Sequence, residues 1–444
     1  MMTRRRFMTL PIILLGFFSA RIPPPCHSQG SQTHSVSALH SRLSALTGVM
    51  VKKIEALPGF KEGFEIAVIQ PVDHRHPGGA KFVQRAFLSH RDFAKPVVLE
   101  TEGYGAAWPK EREAAKLLGA NQVLIEHRYF GSSKPKPLDW THLTSWQSAS
   151  DHHRIIELLK KIYPGKWVTA GKSKGGMAAL FHRYYYPGEV DATIAYAAPI
   201  IIGPTDPRFG SFLDSVGDGP TREKVREFQK TCLRRRNELL PLLRSLSERR
   251  RLSFACDPEG ILERTVIEFP YAFWSGNRKG AEVPGSDASA ERLFEFLNEV
   301  NSVSSLSDAQ LRSNAALYYQ QATELGFYGY PTSHLTGLLR VVQEPDFSFY
   351  VPPDAPKSAF DKELMPRIRD YLQQEGNNII YLYGELDIWT AGAVALTGRT
   401  NALRFILKGK GHHFTIKDLP VEDQERIFAA LKNWLQWETG EGSK

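Results

Sequence analysis

The apolar positions along the chain change period several times, and the changes divide it. From 36 to 54 they recur at helical spacing, which predicts a first amphipathic helix. Stretches 64–70 and 81–89 alternate apolar with polar and are joined by the turn-rich 71–79, the pattern of an antiparallel hairpin. Short continuous apolar runs follow at 96–101 and 122–126, as strands buried on both faces require, with a helical segment at 111–118 between them. A helix over 148–162, a strand at 167–170, a helix over 175–186 and a strand at 193–197 continue the alternation. It stops near Gly203. The pattern from 221 to 251 is helical, and Pro241 is expected to split it in two, because proline fits only a helix's first turn. Further helical segments cover 291–300 and 308–326. Strands resume at 379–383 and 404–407, and a helix at 421–437 ends the pattern.

Two antiparallel strands, strand-helix units, a helical interruption, then two strands and a helix: this order predicts an α/β-hydrolase core with an inserted helical cap and a mostly parallel sheet of about eight strands. The expected divisions are 1–28 as an export signal and 29–60 as linker and first helix. The core then occupies 61–203 and 371–440, and the cap 204–370.

Composition adds mainly exclusions. With 42% hydrophobic and 23% charged residues, the chain is neither disordered nor a multi-span membrane protein. The net charge of +8 is local: residues 1–28 hold four arginines and no acid, and 222–251 hold eleven basic residues against four glutamates. The rest is left at −3. That argues against a general polyanion-binding surface, so no nucleic-acid partner is expected, and the basic run reads as a solvated helix face. The basic head Arg4-Arg5-Arg6 precedes an apolar run from 7 to 20, too short to span a bilayer comfortably, which reads as an export signal by either the twin-arginine or the Sec route. Export implies an oxidising compartment. There Cys232 and Cys256, 24 residues apart, are expected to pair as a disulfide, Cys26 being removed or left unpaired.

The chemistry centres on Gly171-Lys172-Ser173-Lys174-Gly175. It matches the nucleophile-elbow pattern and lies between an apolar strand and a helix, where that turn belongs. A serine hydroxyl needs a histidine base, and the histidine a carboxylate; in this fold the chain order is serine, acid, histidine. The acid is expected to be Asp387, just past the strand at 379–383, with Glu385 as its local rival. The base is expected to be His412, with His413 as the alternative. Lys174 and Tyr104, the latter in the loop Glu102-Gly103-Tyr104-Gly105, should supply the two oxyanion N–H groups. Neither HExxH nor HxxEH occurs, and no metal or other cofactor is expected.

Four runs together resemble the secreted bacterial tripeptidyl aminopeptidases, which include prolyl tri/tetrapeptidyl aminopeptidases. They are Glu126-His127-Arg128-Tyr129-Phe130-Gly131-Ser132-Ser133, Ser150-Asp151-His152-His153-Arg154, the elbow through Met177, and 190–199. The resemblance maps the family's serine, acid and histidine onto Ser173, Asp387 and His412. The chain departs from the family's usual Asn-His-Gly at the base, with Gly411-His412-His413. The neighbouring family of Pro-X carboxypeptidases and dipeptidyl peptidases shares the Glu-His-Arg-Tyr run. The resemblance implies an exported serine exopeptidase acting on peptides with a free N-terminus. A buried cap carboxylate would then hold the substrate ammonium, and Glu324, among several aromatics, is the candidate. A dipeptidyl or Pro-X-type peptidase, or an esterase or lipase, would use the same triad.

Overall fold

A computed structural model describes residues 37–343 and 345–436; the export-signal reading and Cys26 lie outside them. Among the described residues nine strands form one sheet in the order β1-β2-β3-β5-β4-β6-β7-β8-β9. They are β1 (Val49–Ile54), β2 (Glu62–Pro71), β3 (Lys81–His90), β4 (Val97–Thr101), β5 (Asn121–Ile125), β6 (Trp167–Lys172), β7 (Ala192–Tyr196), β8 (Ile379–Gly384) and β9 (Leu403–Leu407). The β1/β2, β2/β3 and β3/β5 pairs are antiparallel. From β5 through β9 every pair is parallel.

The burial of these strands explains their sequences. β4, β5, β7 and β8 are buried at every position, because helices cover both faces. Val97 and Leu99 face the layer of α1 (Ala38–Ser44) and α3 (Ser145–Lys160), while Val98 faces that of α2 (Glu113–Leu117) and α13 (Val421–Leu435). α4 (Lys174–Tyr185) packs beside α3. The chain turns from β5 to β6 across β4, so the sheet's direction of winding reverses there. Beyond the carboxyl ends of the strands at such a reversal lies the crevice where α/β folds bind ligands.

Between β7 and β8 the described chain adds no strand. It builds α5 (Arg208–Ser215), α6 (Gly219–Arg234), α7 (Arg236–Arg250), α8 (Pro258–Ser275), α9 (Ala290–Val300), α10 (Asp308–Ser313), α11 (Ala315–Gln320) and α12 (Leu364–Gln374). Most of these share a separate core around Phe228, Phe269, Phe273 and Phe296.

Four expectations are corrected. The helix read over 36–54 ends at Ser44; Gly48 turns the chain with φ 79°, and the β-branched run after it becomes edge strand β1, which makes the sheet nine-stranded. The split in 221–251 falls at Arg235. Pro241 is the sixth residue of α7 and forfeits only the bond to the Asn237 carbonyl. The basic run is not wholly solvated: Arg236 is buried and bonds Glu259 and Glu263 of α8, each at 2.7 Å. Lastly, Cys232 and Cys256 are free thiols, Cys232 buried in the α6 core and Cys256 half-buried on the loop before α8. The helix α8 itself carries a start signal, Asp257 capping Gly260 N at 2.9 Å with Pro258 next. It is buried on nearly all sides, so no apolar stripe marks it.

Candidate active site

Ser173 stands between the last residue of β6 and the first of α4 with φ 56° and ψ −127°, a conformation costly for any residue with a side chain. Crowding imposes it. A Cβ on Gly171 would fall 2.5 Å from the Gly175 backbone and 2.6 Å from Thr101 Oγ1, so strand and helix can approach this closely only with glycine there. Thr101 Oγ1 fills the remaining space, 2.7 Å from Gly175 O and 3.0 Å from Ala170 O. Ser173 N donates to Tyr196 O at 2.8 Å, and Met177 N donates to Ser173 O at 2.9 Å.

The expected acid and base meet on loops that pack against Lys172 of this turn. Asp387, fully buried past β8, receives His412 Nδ1–H on Oδ2 at 2.7 Å and the Ser275 hydroxyl on Oδ1 at 2.9 Å. His412 N donates to Ser275 O at 2.8 Å, and Asn277 Oδ1 accepts Gly411 N. The end of α8 thus clamps both loops; neither Ser275 nor Asn277 is marked by any motif. A carboxylate on Nδ1 fixes the tautomer and leaves Nε2 as the basic nitrogen. His413 has no such partner among the described residues, and burial, then Lys172 and His412, lower its pKa. Glu385 is exposed and accepts Gly409 N at 2.7 Å, far from an orienting role. The histidine loop lies against the elbow, with Phe414 under the Lys172 ammonium at 5.4 Å. The hydrogen bond from Ser173 Oγ to His412 is not formed among the described residues.

The loop expected to hold the second oxyanion donor packs directly on the start of α4. A Cβ on Gly103 would lie 2.5 Å from Lys174 Cβ and 2.7 Å from Gly175 N, which places the Gly103–Tyr104 peptide against the first free N–H groups of the helix. The Glu-His-Arg run braces this arrangement. The buried Glu126 carboxylate accepts Ala106 N at 2.9 Å, Ser132 N at 2.8 Å and Ser133 N at 3.0 Å. The His127 ring meets Lys174, and Arg128 pairs with Asp151 of α3.

A cleft of about 200 Å³ opens on Ser173, walled by Tyr104, Met177, Trp389, Phe327 and Tyr328. Cavities of about 480 and 560 Å³ lie elsewhere and touch none of Ser173, Asp387 and His412, so size alone would misplace the site. Glu324 does not line the cleft, although Gln321 and Leu325 do. It sits behind the wall, accepting Ser145 N at 2.7 Å, and burial pushes its carboxyl up to about 7 against the pull of Ser145 and Lys174. A second carboxylate, Glu268 on α8, is one side chain behind the cleft. Its oxygens accept the hydroxyls of Tyr328 and Tyr330 at 2.6 Å and of Tyr350 at 3.1 Å. Burial raises its pKa despite those three donors. Among the described residues no group of three or more His, Cys, Asp or Glu could hold a metal.

The fold and the chemistry at its crevice define the class: a serine hydrolase on an α/β-hydrolase sheet. The sequence pattern of PS-10 peptidase S37 matches residues 33–440. A prolyl tri/tetrapeptidyl aminopeptidase of Streptomyces mobaraensis is 30% identical over 419 residues, 90% of this chain and 88% of its own. The chain therefore belongs to the PS-10 peptidase S37 family and is a serine peptidase. A lysosomal Pro-X carboxypeptidase of Mus musculus is 36% identical over 215 residues, 44% of this chain and 41% of its own.

Proposed function

We propose that the protein is an exported exopeptidase that releases short peptides, tripeptides foremost, from free N-termini through an acyl-enzyme on Ser173. The observation that carries the mechanism is the 2.7 Å bond from His412 to the buried Asp387, on loops that pack against the elbow of the strained Ser173. Ser173 Oγ attacks the scissile carbonyl while His412 Nε2 takes its proton. The imidazolium gives that proton to the leaving amine, and a water, deprotonated by the same nitrogen, releases the peptide. The N–H groups of Lys174 and Tyr104 receive the oxyanion. The serine-histidine hydrogen bond is one that tightens when substrate fills the cleft.

The peptide substrate and free N-terminus are supported by the Streptomyces relative; the candidate anchors for the ammonium are the two carboxylates buried behind the cleft wall, Glu268 and Glu324. Export rests on the basic head and apolar run; protein retained in the cytoplasm and still starting at Met1 would contradict it. A three-compound panel tests the activity: a tripeptide anilide with a free amine, its N-acetylated form, and an acyl ester. The free-amine compound is expected to be cleaved best. Equal rates on free and blocked peptides would reject the exopeptidase reading, and turnover of the ester alone would reject the peptidase reading. Run on Glu268→Gln and Glu324→Gln, the panel identifies the anchor as the carboxylate whose loss raises KM for the free amine roughly tenfold or more and leaves KM for the blocked peptide and the ester unchanged.

A further inference from the structure

An oxyanion donor needs only a backbone N–H, and any residue could follow the nucleophile. Here that residue is a buried lysine, 5% exposed at the first position of α4. Its ammonium is fully engaged. Nζ donates to the Gly103 carbonyl at 2.9 Å and approaches His127 Nε2 at 3.2 Å. His127 Nδ1 lies 2.8 Å from Arg128 O, which can only accept. Nδ1 therefore carries the ring proton, and Nε2 is the acceptor for the ammonium. Burial and then Lys174 hold the His127 pKa well below the usual value, so this ring stays neutral. The remaining face of the ammonium meets the rings of Phe130 at 5.1 Å and Tyr104 at 5.9 Å. Glu324, beyond α11, is the carboxylate acting on it.

The Gly103 carbonyl and the Tyr104 N–H are two ends of one peptide group. A cation bound to the oxygen draws density from the nitrogen, fixes the peptide plane and makes its N–H a stronger donor. We propose that the Lys174 side chain is a positioning residue for catalysis: by holding the Gly103 carbonyl it orients and polarises the Gly103–Tyr104 peptide, whose N–H meets the developing oxyanion. This rests on the reading of Ser173 as nucleophile.

Burial pulls the Lys174 pKa down to about 7, with Glu324 opposing. The ammonium is present at lower pH and is lost as pH rises. Reactivity should therefore decline toward alkaline pH.

The test uses a fluorophosphonate ester, which has no amine to titrate. The Ser173 Oγ–P bond forms, the P–F bond breaks with loss of fluoride, and the serine proton passes to His412. Its second-order labelling rate is measured from about pH 5 to about pH 10. Wild type should show an alkaline decline. Lys174→Met should react about tenfold more slowly below that decline, and without it, a smaller loss than removal of a whole donor. Lys174→Arg, which keeps its charge, should stay reactive at alkaline pH. Glu324→Gln should move the decline to lower pH, because the charge supporting the ammonium is gone. An alkaline decline unchanged in Lys174→Met, or a wild-type rate in that variant, overturns the proposal while leaving Ser173 as nucleophile. If Lys174→Met does not fold, an unmoved decline in Glu324→Gln overturns it. No labelling of wild type at any pH overturns both.

Discussion

His412→Gln should lower kcat on a tripeptide anilide by roughly 10⁵- to 10⁶-fold, as loss of the base does in a serine triad, while His413→Gln should stay within roughly fivefold of wild type. The two imidazoles are neighbours, with ring centroids 5.7 Å apart, so neither sequence position nor proximity separates them. What separates them is the carboxylate. Asp387 holds His412 in one tautomer and will stabilise the imidazolium formed during acylation, whereas His413 has no acid to do so. Steady-state kinetics on both variants checks this; a dead His413 variant beside an active His412 variant would reverse the assignment.

Arg128→Met should be the most damaging single change to stability among residues that touch no substrate. The guanidinium is fully buried. Nε and Nη2 each bond the Asp151 carboxylate at 2.7 Å, Nη1 bonds His142 O at 2.7 Å and Val72 O at 3.1 Å, and Nη2 reaches Pro71 O at 3.3 Å. Removing it strands a buried carboxylate with His74 alone, which costs about 3–5 kcal/mol. At about 2–4 °C per kcal/mol, Tm should fall by roughly ten degrees. The pH dependence has a definite sign. Burial alone would raise the Asp151 pKa, but the charge and hydrogen bonds of Arg128, then those of His74, bring it below the ordinary value. In wild type this stabilisation is present above the unfolded carboxylate pKa and is lost as pH falls through the folded one. In the variant the stranded carboxyl titrates higher, so acidification neutralises it and narrows the Tm gap. Melting curves at neutral and mildly acidic pH test this; a gap that is absent, or that widens on acidification, would contradict it.

The parts of the fold that could be read from the residues are those whose burial leaves a period. β4 to β8 are short apolar runs because helices cover both faces, and β2 alternates because its burial does. The elbow was legible because its glycines answer to a steric need within five residues. α8 was not, since a helix buried all round shows no stripe, and with it went Ser275 and Asn277, which act on loops more than a hundred residues away. The same reason hid Glu268, whose three tyrosines come from 60 to 82 residues further on. Edge strand β1 passed for helix because its few apolar residues fit both periods. The Glu-His-Arg run carried a family resemblance, but its work on the oxyanion loop, on Lys174 and on Asp151 appears only when β5 is set beside β4 and α3.

That Ser173 is the nucleophile is tested by mass spectrometry of the intact protein and its peptides after fluorophosphonate treatment. A single adduct on the peptide containing Ser173, formed in parallel with loss of peptidase activity and absent from Ser173→Ala, is the expected result. A stoichiometric adduct on another residue, or peptidase activity retained in Ser173→Ala, would contradict it.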